Sequence, residues 1–518
     1  MNENQDKRWE RVERYIAMDQ PTPARALLES ILGRNPDDVR AHLVMGGLEI
    51  AEGHIRAATR HALAAARDLP DEADAIGSVI AALMQVGEIV EARRCLDHPC
   101  IGKSESPTVL MRSAAQRQML GEHETSLALI ERAGRFGASG PDFQFYRAVQ
   151  LSFNGRLDEA EADLESCILA DPPLGRAFLQ LSRMRTQTPE RNHLPRIEQA
   201  LTRAEPGSEN EAGLEFARYK ELEDIGRHTE AWEALTRANR LMYRRLAHDP
   251  AREAAILGSL AQVDLGKPTD AVELSLAGPQ PIFVIGLPRS GTTVLDRILG
   301  NHSQVRSAGE LGDFARLLIW ATDHCATVVP DEVIVDRLGR VDWRELGRLY
   351  LEQTQWRARG RPFFIDKLPR NWMVAGLIHR AFPRAPIVNV VRDPMDVCFS
   401  NYRALFGDAY PYSYDLDALA QHHRQYKRLM GRWHEAFPGA ILDVDYARLV
   451  REPEGVAREV FAFCRLDFEA GCTDLKRNTA TVATLSMAQV RQPIHARAFG
   501  EWRPYAEQLT SLRNALSK

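Results

Sequence analysis

Glycines 53, 87, 121 and 155 recur at intervals of 34 residues, and a fixed period of that length constrains the architecture more tightly than anything else in the chain. Five positions after each comes a small residue: Ala58, Ala92, Ser126 and Ala160. Ala24 fills the same slot one period earlier, and IGRHTEAW repeats the pattern later with Gly226 and Ala231. Prolines 36, 70, 107, 141 and 172 mark the other end of the units. The segments between are rich in Ala, Leu, Arg and Glu at helical spacing. A glycine ends a helix by adopting left-handed backbone cheaply. The small residue lets two helices approach closely, and the proline starts the next unit. One helix–turn–helix unit cannot bury its apolar face alone, so such units stack into a curved solenoid with a concave surface. Residues 173–208 leave the register, and the repeat number between 173 and 243 stays open.

Over residues 5–243 this period and layout resemble the tetratricopeptide repeat (TPR). Residues 244–280 carry AHDP, LGKPTD and AGPQP and read as a connector with one helix around 251–262. From 281 to 518 the texture changes. Apolar runs IFVIG (282–286), FFI (363–365), IVNVV (387–391) and AILDVDY (440–446) read as buried strands. Each but the last leads into a turn and a helical stretch, the pattern of a parallel sheet covered on both faces. The expected fold is an all-α TPR-like superhelical solenoid followed by an α/β P-loop-type three-layer domain with a parallel sheet.

The composition removes several function classes. A net charge of −5 argues against nucleic-acid binding by bulk electrostatics, though it leaves room for a local basic cleft. No run of about 18 uncharged apolar residues suggests a membrane span, and the polar MNENQDKRWERVERY has no secretory-signal core. Seven scattered cysteines without a C-x-x-C pair suit neither a zinc site nor a disulfide framework. A reducing, cytoplasmic compartment is the simplest expectation. His422 and His423 fall in a polar helical stretch beside basic residues and read as solvated; no metal site is expected.

The sharpest element is PIFVIGLPRSGTTVLDRILGNH. A buried strand runs into Gly286-Leu-Pro-Arg-Ser-Gly291-Thr-Thr293 and then into an amphipathic helix from about 292. This is P-loop spacing, whose backbone N–H groups and helix N-terminus form a nest for an anion. Nucleotide triphosphatases carry a lysine where this chain has Thr292, and Arg289 lies inside the loop instead. Both departures point to a different terminal group.

PRSGTT after a strand resembles the 5′-phosphosulfate-binding loop of the sulfotransferase superfamily. The resemblance implies 3′-phosphoadenosine 5′-phosphosulfate (PAPS) as donor, with Arg289, Ser290, Gly291, Thr292 and Thr293 at its 5′ end. VVRDPMDVCFSNY is similar to the family's 3′-phosphate segment and implies that role for Arg392 and Ser400. SAGEL carries Glu310, which the branch resembling tyrosylprotein sulfotransferases and their bacterial relatives uses as general base. Its small apolar neighbours suggest partial burial, which would raise its pKa. Lys367, in FFIDKLPRNW, matches the lysine that neutralises charge on the departing nucleotide. In TLSMAQVRQPIHARAFGEWRPY, the resemblance implies that Ser486, Gln489, Val490 and Arg491 face the donor, Ser486 near the sulfuryl group. Tyr446 matches a donor-contacting tyrosine. Where relatives often have a basic residue before the tryptophan of G-x-W, this chain has Glu501, with Arg503 as the nearest basic substitute.

The expected activity is sulfuryl transfer from PAPS to an acceptor hydroxyl on a peptide tyrosine, saccharide or small molecule. The TPR concave face would recognise the acceptor or a protein partner. A P-loop ATPase or kinase, and an inactive TPR scaffold that binds the nucleotide, are the alternatives.

Overall fold

The computed structural model describes residues 3–266, 278–477 and 499–517. By packing, the chain divides into two compact units, Met1–Gly137 with Gly312–Thr354, and Ala138–Leu311 with Gln355–Lys518.

The N-terminal region is a TPR-like helical solenoid. In the first unit its antiparallel pairs include Val39–Ala51 with Ile55–Ala65, Ala73–Val86 with Ile89–Leu96, and Pro107–Met119 with His123–Arg135. Gly53, Gly87 and Gly121 sit at the turns with φ of 86°, 90° and 76°, the backbone that their period required. Ala58, Ala92 and Ser126 are buried where the paired helices meet. Pro107 is the first residue of its helix, behind Ser106 as cap.

The same unit holds a segment that left no repeat signal. Residues 312–354 depart from the C-terminal sheet region and form helices Asp313–Thr322, Glu332–Arg337 and Trp343–Thr354. They pack on the repeats. Arg56 donates to the carbonyls of Trp320 (3.0 Å) and Ala321 (2.7 Å), and its guanidinium lies 4.8 Å from the Trp320 ring. Gln353 bridges two elements, donating to Glu88 (3.0 Å) and accepting from the Val90 amide (3.0 Å).

The second unit opens with helices Pro141–Phe153, Leu157–Cys167, Gly175–Met184, Leu194–Leu201, Glu209–Asp224 and His228–Leu246. The stretch that left register contains Gly175–Met184 and Leu194–Leu201, joined by a long loop and each packed on Glu209–Asp224 rather than on the other. Asp249 caps a further helix, Pro250–Gln262. The chain then enters a sheet of β1 (Gln280–Gly286), β2 (Val305–Ser307), β3 (Phe363–Asp366), β4 (Ile387–Val391) and β5 (Ile441–Asp445). All pairings are parallel, in the order β2-β3-β1-β4-β5. Side chains alternate between faces along each strand. Ile282 and Val284 face the helices Thr292–Gly300 and Pro453–Phe463, packing with Leu295, Ile298, Val460 and Phe461. On the opposite face the Phe283 ring lies 5.8 Å from Phe382, and Tyr426 donates to Asn389 at 3.0 Å. A fully buried side chain of this size contributes about 1.5–3 kcal/mol, so covering both faces is what makes the short strands stable.

His422 and His423 correct the reading of a solvated pair. Their helix, Leu416–Ala436, packs against Pro250–Gln262 and the turn Pro411–Tyr414, and both rings are buried. His422 stacks on Tyr412 with centroids 3.5 Å apart and pairs with Glu253 at 3.1 Å. Among the described residues no helix is long and apolar enough to cross a membrane.

Candidate active site

Every strand of the sheet ends in a residue that the motifs singled out. Carboxyl ends of parallel strands open on the crevice where such folds bind ligands. In spatial order, β2 leads to Glu310, β3 to Lys367, β1 to the loop 286–293, β4 to Arg392 and β5 to Tyr446. The anion loop therefore lies between a carboxylate–lysine pair on one flank and an arginine–tyrosine pair on the other.

The loop needs glycine at both ends for steric reasons. A Cβ on Gly286 would lie 2.7 Å from the Val390 carbonyl oxygen, and one on Gly291 would lie 2.2 Å from Cδ2 of Tyr446. Gly291 has φ 108° and caps the helix Thr292–Gly300. Ser290, Thr292 and Thr293 are buried, and the Ser290 hydroxyl has no hydrogen-bond partner among the described residues. A buried hydroxyl without a partner costs free energy, so this corner suits a polar ligand.

Arg289 takes a left-handed backbone, φ 66°. Its carbonyl accepts from Nη1 of Arg392 at 2.8 Å, and its own Nε donates to the Ser400 hydroxyl at 3.3 Å. The loop and the R-D-P segment, remote in sequence, are thus in direct contact. The Arg289 side chain reaches Ser400. The Arg392 guanidinium lies 5.2 Å from the Tyr446 ring centroid, and that ring is 5.8 Å from Phe499.

This flank holds more positive charge than the motifs indicated. Burial first, then the guanidiniums of Arg403, Arg392 and Arg183, push the Arg289 pKa down to about 9. Arg183 comes from the solenoid helix Gly175–Met184, and burial lowers its pKa to about 10. Crowded guanidiniums of one sign call for an anion. Arg403 could have been read from spacing, because it follows Ser400 by three positions on one helix face. Arg183 carried no such signal.

On the other flank Lys367 is 2% exposed and its Nζ donates to Glu310 Oε1 at 2.5 Å. Its backbone amide donates to the Gly309 carbonyl at 2.9 Å, tying the two loops together. The Glu310 side chain is 41% exposed, more open than the partial burial expected of it: the preceding Ala308 and Gly309 are too small to cover it. Asp296, absent from the motif reading, is the buried carboxyl here. Burial raises its pKa, and Lys367 and a hydrogen bond from Ser307 partly offset that rise. Ser486, Gln489, Val490 and Arg491 lie outside the described residues. Among the described residues the one group with metal-ligand spacing is Glu49, Glu52 and His54 in the repeats, where Arg25 already pairs with both carboxylates.

A parallel sheet covered on both faces, with β1 leading into the glycine loop and the other four strands into polar residues at the same edge, defines an α/β domain. Residues 281–470 match the model of the Sulfotransferase family. An uncharacterised protein of Aquifex aeolicus (strain VF5) is 29% identical over 71% of this chain and 49% of its own length; the chain spans about half of that relative. A putative protein-tyrosine sulfotransferase of Caenorhabditis briggsae is 24% identical over 43% of this chain and 80% of its own. Among solved structures, the sulfotransferase domain of the Synechococcus PCC 7002 olefin synthase aligns at 22% identity over 46% of this chain and 94% of that domain, with a TM-score of 0.33.

Proposed function

We propose that the C-terminal region moves a sulfuryl group from PAPS to an acceptor hydroxyl. The observation that carries this is the spatial order of the strand ends, which sets the anion loop between Glu310–Lys367 and the arginine cluster. A nucleotide charged at two ends fits such an arrangement. Its 5′-phosphosulfate would rest on the loop amides and the hydroxyls of Ser290, Thr292 and Thr293. Its 3′-phosphate would meet Arg392, Ser400 and Arg289, in the fork geometry guanidinium offers to phosphate. Tyr446 would support both by packing on Gly291 and beneath Arg392.

Transfer needs a proton acceptor and a cation, and both stand on the β2–β3 flank. Glu310 takes the proton of the acceptor hydroxyl as its oxygen bonds to sulfur. The bond from sulfur to the bridging oxygen breaks, and adenosine 3′,5′-bisphosphate leaves. An ammonium has three hydrogens, so Lys367 can hold Glu310 and still donate to that bridging oxygen as charge develops. Exposure of Glu310 leaves the base open to a bulky acceptor. A peptide tyrosine is the acceptor we favour, on the name of the Caenorhabditis relative, with the solenoid recognising the acceptor or a partner.

Calorimetry of the full chain with adenosine 3′,5′-bisphosphate, ATP and GTP tests the donor. Binding of the bisphosphate in preference to both triphosphates supports the reading, and the reverse order returns the site to the ATPase or kinase class. A labelled-donor screen over tyrosine peptides, saccharides and small alcohols then identifies the acceptor. Bisphosphate binding without transfer to any acceptor would mark a nucleotide-binding scaffold.

A further inference from the structure

Asp396, Ser400 and Arg403 follow one another at spacings of four and three, which on the helix Pro394–Tyr402 and its cap is a single face. Each reaches a different part of the arginine flank. Asp396 accepts from the Gly500 amide at 2.8 Å, and Ser400 accepts from Arg289. Arg403 is held by two carboxylates from separate elements. Glu223, on the solenoid helix Glu209–Asp224, lies 3.7 Å from its Nη1. Glu501, one residue beyond Gly500, pairs directly with its Nη2. Arg503, the basic residue nearest to Glu501 in sequence, is exposed. The Glu501 charge is felt at Arg289 and Arg392 as well as at Arg403.

We infer that Glu501 is an internal competitor of the donor's phosphate: its carboxylate holds Arg403, beside the Arg289 and Arg392 that a phosphate dianion would take, and its charge sets the affinity. The inference rests on the proposed nucleotide site. Guanidinium pairs with carboxylate and phosphate by the same forked hydrogen bonds, so the two anions contend for one cluster. A dianion displaces a single carboxylate, whereas a nucleoside with a neutral 3′-hydroxyl does not. The residue thereby raises the threshold for whatever enters. It also shortens the stay of the leaving bisphosphate, which still carries its 3′-phosphate. Glu223 has the opposite duty: it is a positioning residue that keeps Arg403 aimed when Glu501 lets go, and it gives the solenoid a share in donor binding.

The test is a charge series at residue 501, read by calorimetry of the full chain with adenosine 3′,5′-bisphosphate. Glu501→Gln should tighten binding about tenfold and Glu501→Lys further still, since each step removes negative charge from a cluster of low polarity. Glu223→Gln should weaken it. A purely structural role for Glu501 predicts the reverse, weaker binding in both 501 variants, because Arg403 loses a partner. Thermal melts confirm that each variant is folded, and Glu501→Gln, nearly isosteric, decides the matter if Glu501→Lys does not fold. Unchanged or weaker binding in a folded Glu501→Gln overturns the inference and leaves the nucleotide site standing. Failure of the wild-type chain to bind the bisphosphate overturns both.

Discussion

Gly291→Ala adds one carbon where the anion loop turns into its helix, and that carbon would lie 2.2 Å from Cδ2 and 2.4 Å from Cε2 of Tyr446. Two costs follow. Alanine at φ 108° occupies backbone that L-residues avoid, worth about 1–3 kcal/mol. The ring must also move, and it is confined: buried, with Arg392 5.2 Å from its centroid and Phe499 5.8 Å away. Overpacking at such a place typically costs about 1–3 kcal/mol. The smallest combined effect is about 2 kcal/mol, or about thirtyfold if it falls entirely on binding. Calorimetry with adenosine 3′,5′-bisphosphate and urea unfolding measure the two places where the cost can appear. The steric part separates in a double-mutant cycle, because adding Tyr446→Ala to Gly291→Ala removes the obstacle and leaves the backbone cost alone. The unfolding free energies should then show a coupling of about 1–3 kcal/mol. If Gly291→Ala binds within about threefold of wild type and unfolds at the same urea concentration, the close approach of Gly291 and Tyr446 is not the constraint described.

Other outcomes follow from the same geometry. Glu310→Gln should keep bisphosphate affinity and lower kcat by about 10²–10⁴, the range for a lost general base; a near-wild-type rate would remove Glu310 from that role. Arg392→Ala should weaken the bisphosphate by about 10–100-fold, the loss of about 1.5–3 kcal/mol of charge-assisted hydrogen bonding, and unchanged affinity would place the 3′-phosphate elsewhere. His423 gives a pH prediction. Burial foremost, then Lys427 and His422, hold its pKa at about 4 against 6.5 unfolded. The unfolded chain takes up a proton as pH falls through 6.5, and the folded chain does not until about 4. Stability present above 6.5 is therefore lost over that window, by about 3 kcal/mol at about 1.4 kcal/mol per pH unit. His423→Gln should flatten the urea-unfolding free energy between those values, and equal slopes in the two proteins would refute the argument.

The legible parts of the chain are those where local residues decide the outcome. A turn glycine works wherever its unit sits, so the period survived into the structure with left-handed φ at each position. The strands β1, β3 and β4 announce themselves as apolar runs because both faces are buried, whereas β5, on a sheet edge, buries only Ile441 and Val444 and exposes Asp443 and Asp445. β2 does not announce itself: Val305–Ser307 is three residues of mixed polarity on a sheet edge, and its pairing with β3 is a tertiary fact. Strand order is equally non-local, and it alone reveals that Glu310 and Lys367 are neighbours. The histidine pair failed for the same reason in reverse, since tertiary packing, including Glu253 of the helix Pro250–Gln262 against His422, buries both rings regardless of the flanking basic residues. Residues 312–354 carry ordinary amphipathic helices, whose partners lie more than 200 residues away in the repeats.

The order β2-β3-β1-β4-β5 also divides the labour of the site. A parallel strand and its crossover helix fix which residue stands at each carboxyl end, so charge can be distributed across the edge by topology alone. Here the exposed carboxylate and its buried lysine fall on one side of the loop, and the guanidiniums on the other. Substitutions on the β4–β5 side should accordingly move donor affinity, and those on the β2–β3 side should move turnover. The loop is where the two meet: Gly291 packs on Tyr446 of the arginine flank, while Asp296, one turn along its helix, lies near Lys367 of the carboxylate–lysine flank. A rigid helix beginning at residue 292 therefore sets the register of one flank against the other. That is why a single methyl group at its first turn is expected to disturb binding in spite of touching no phosphate.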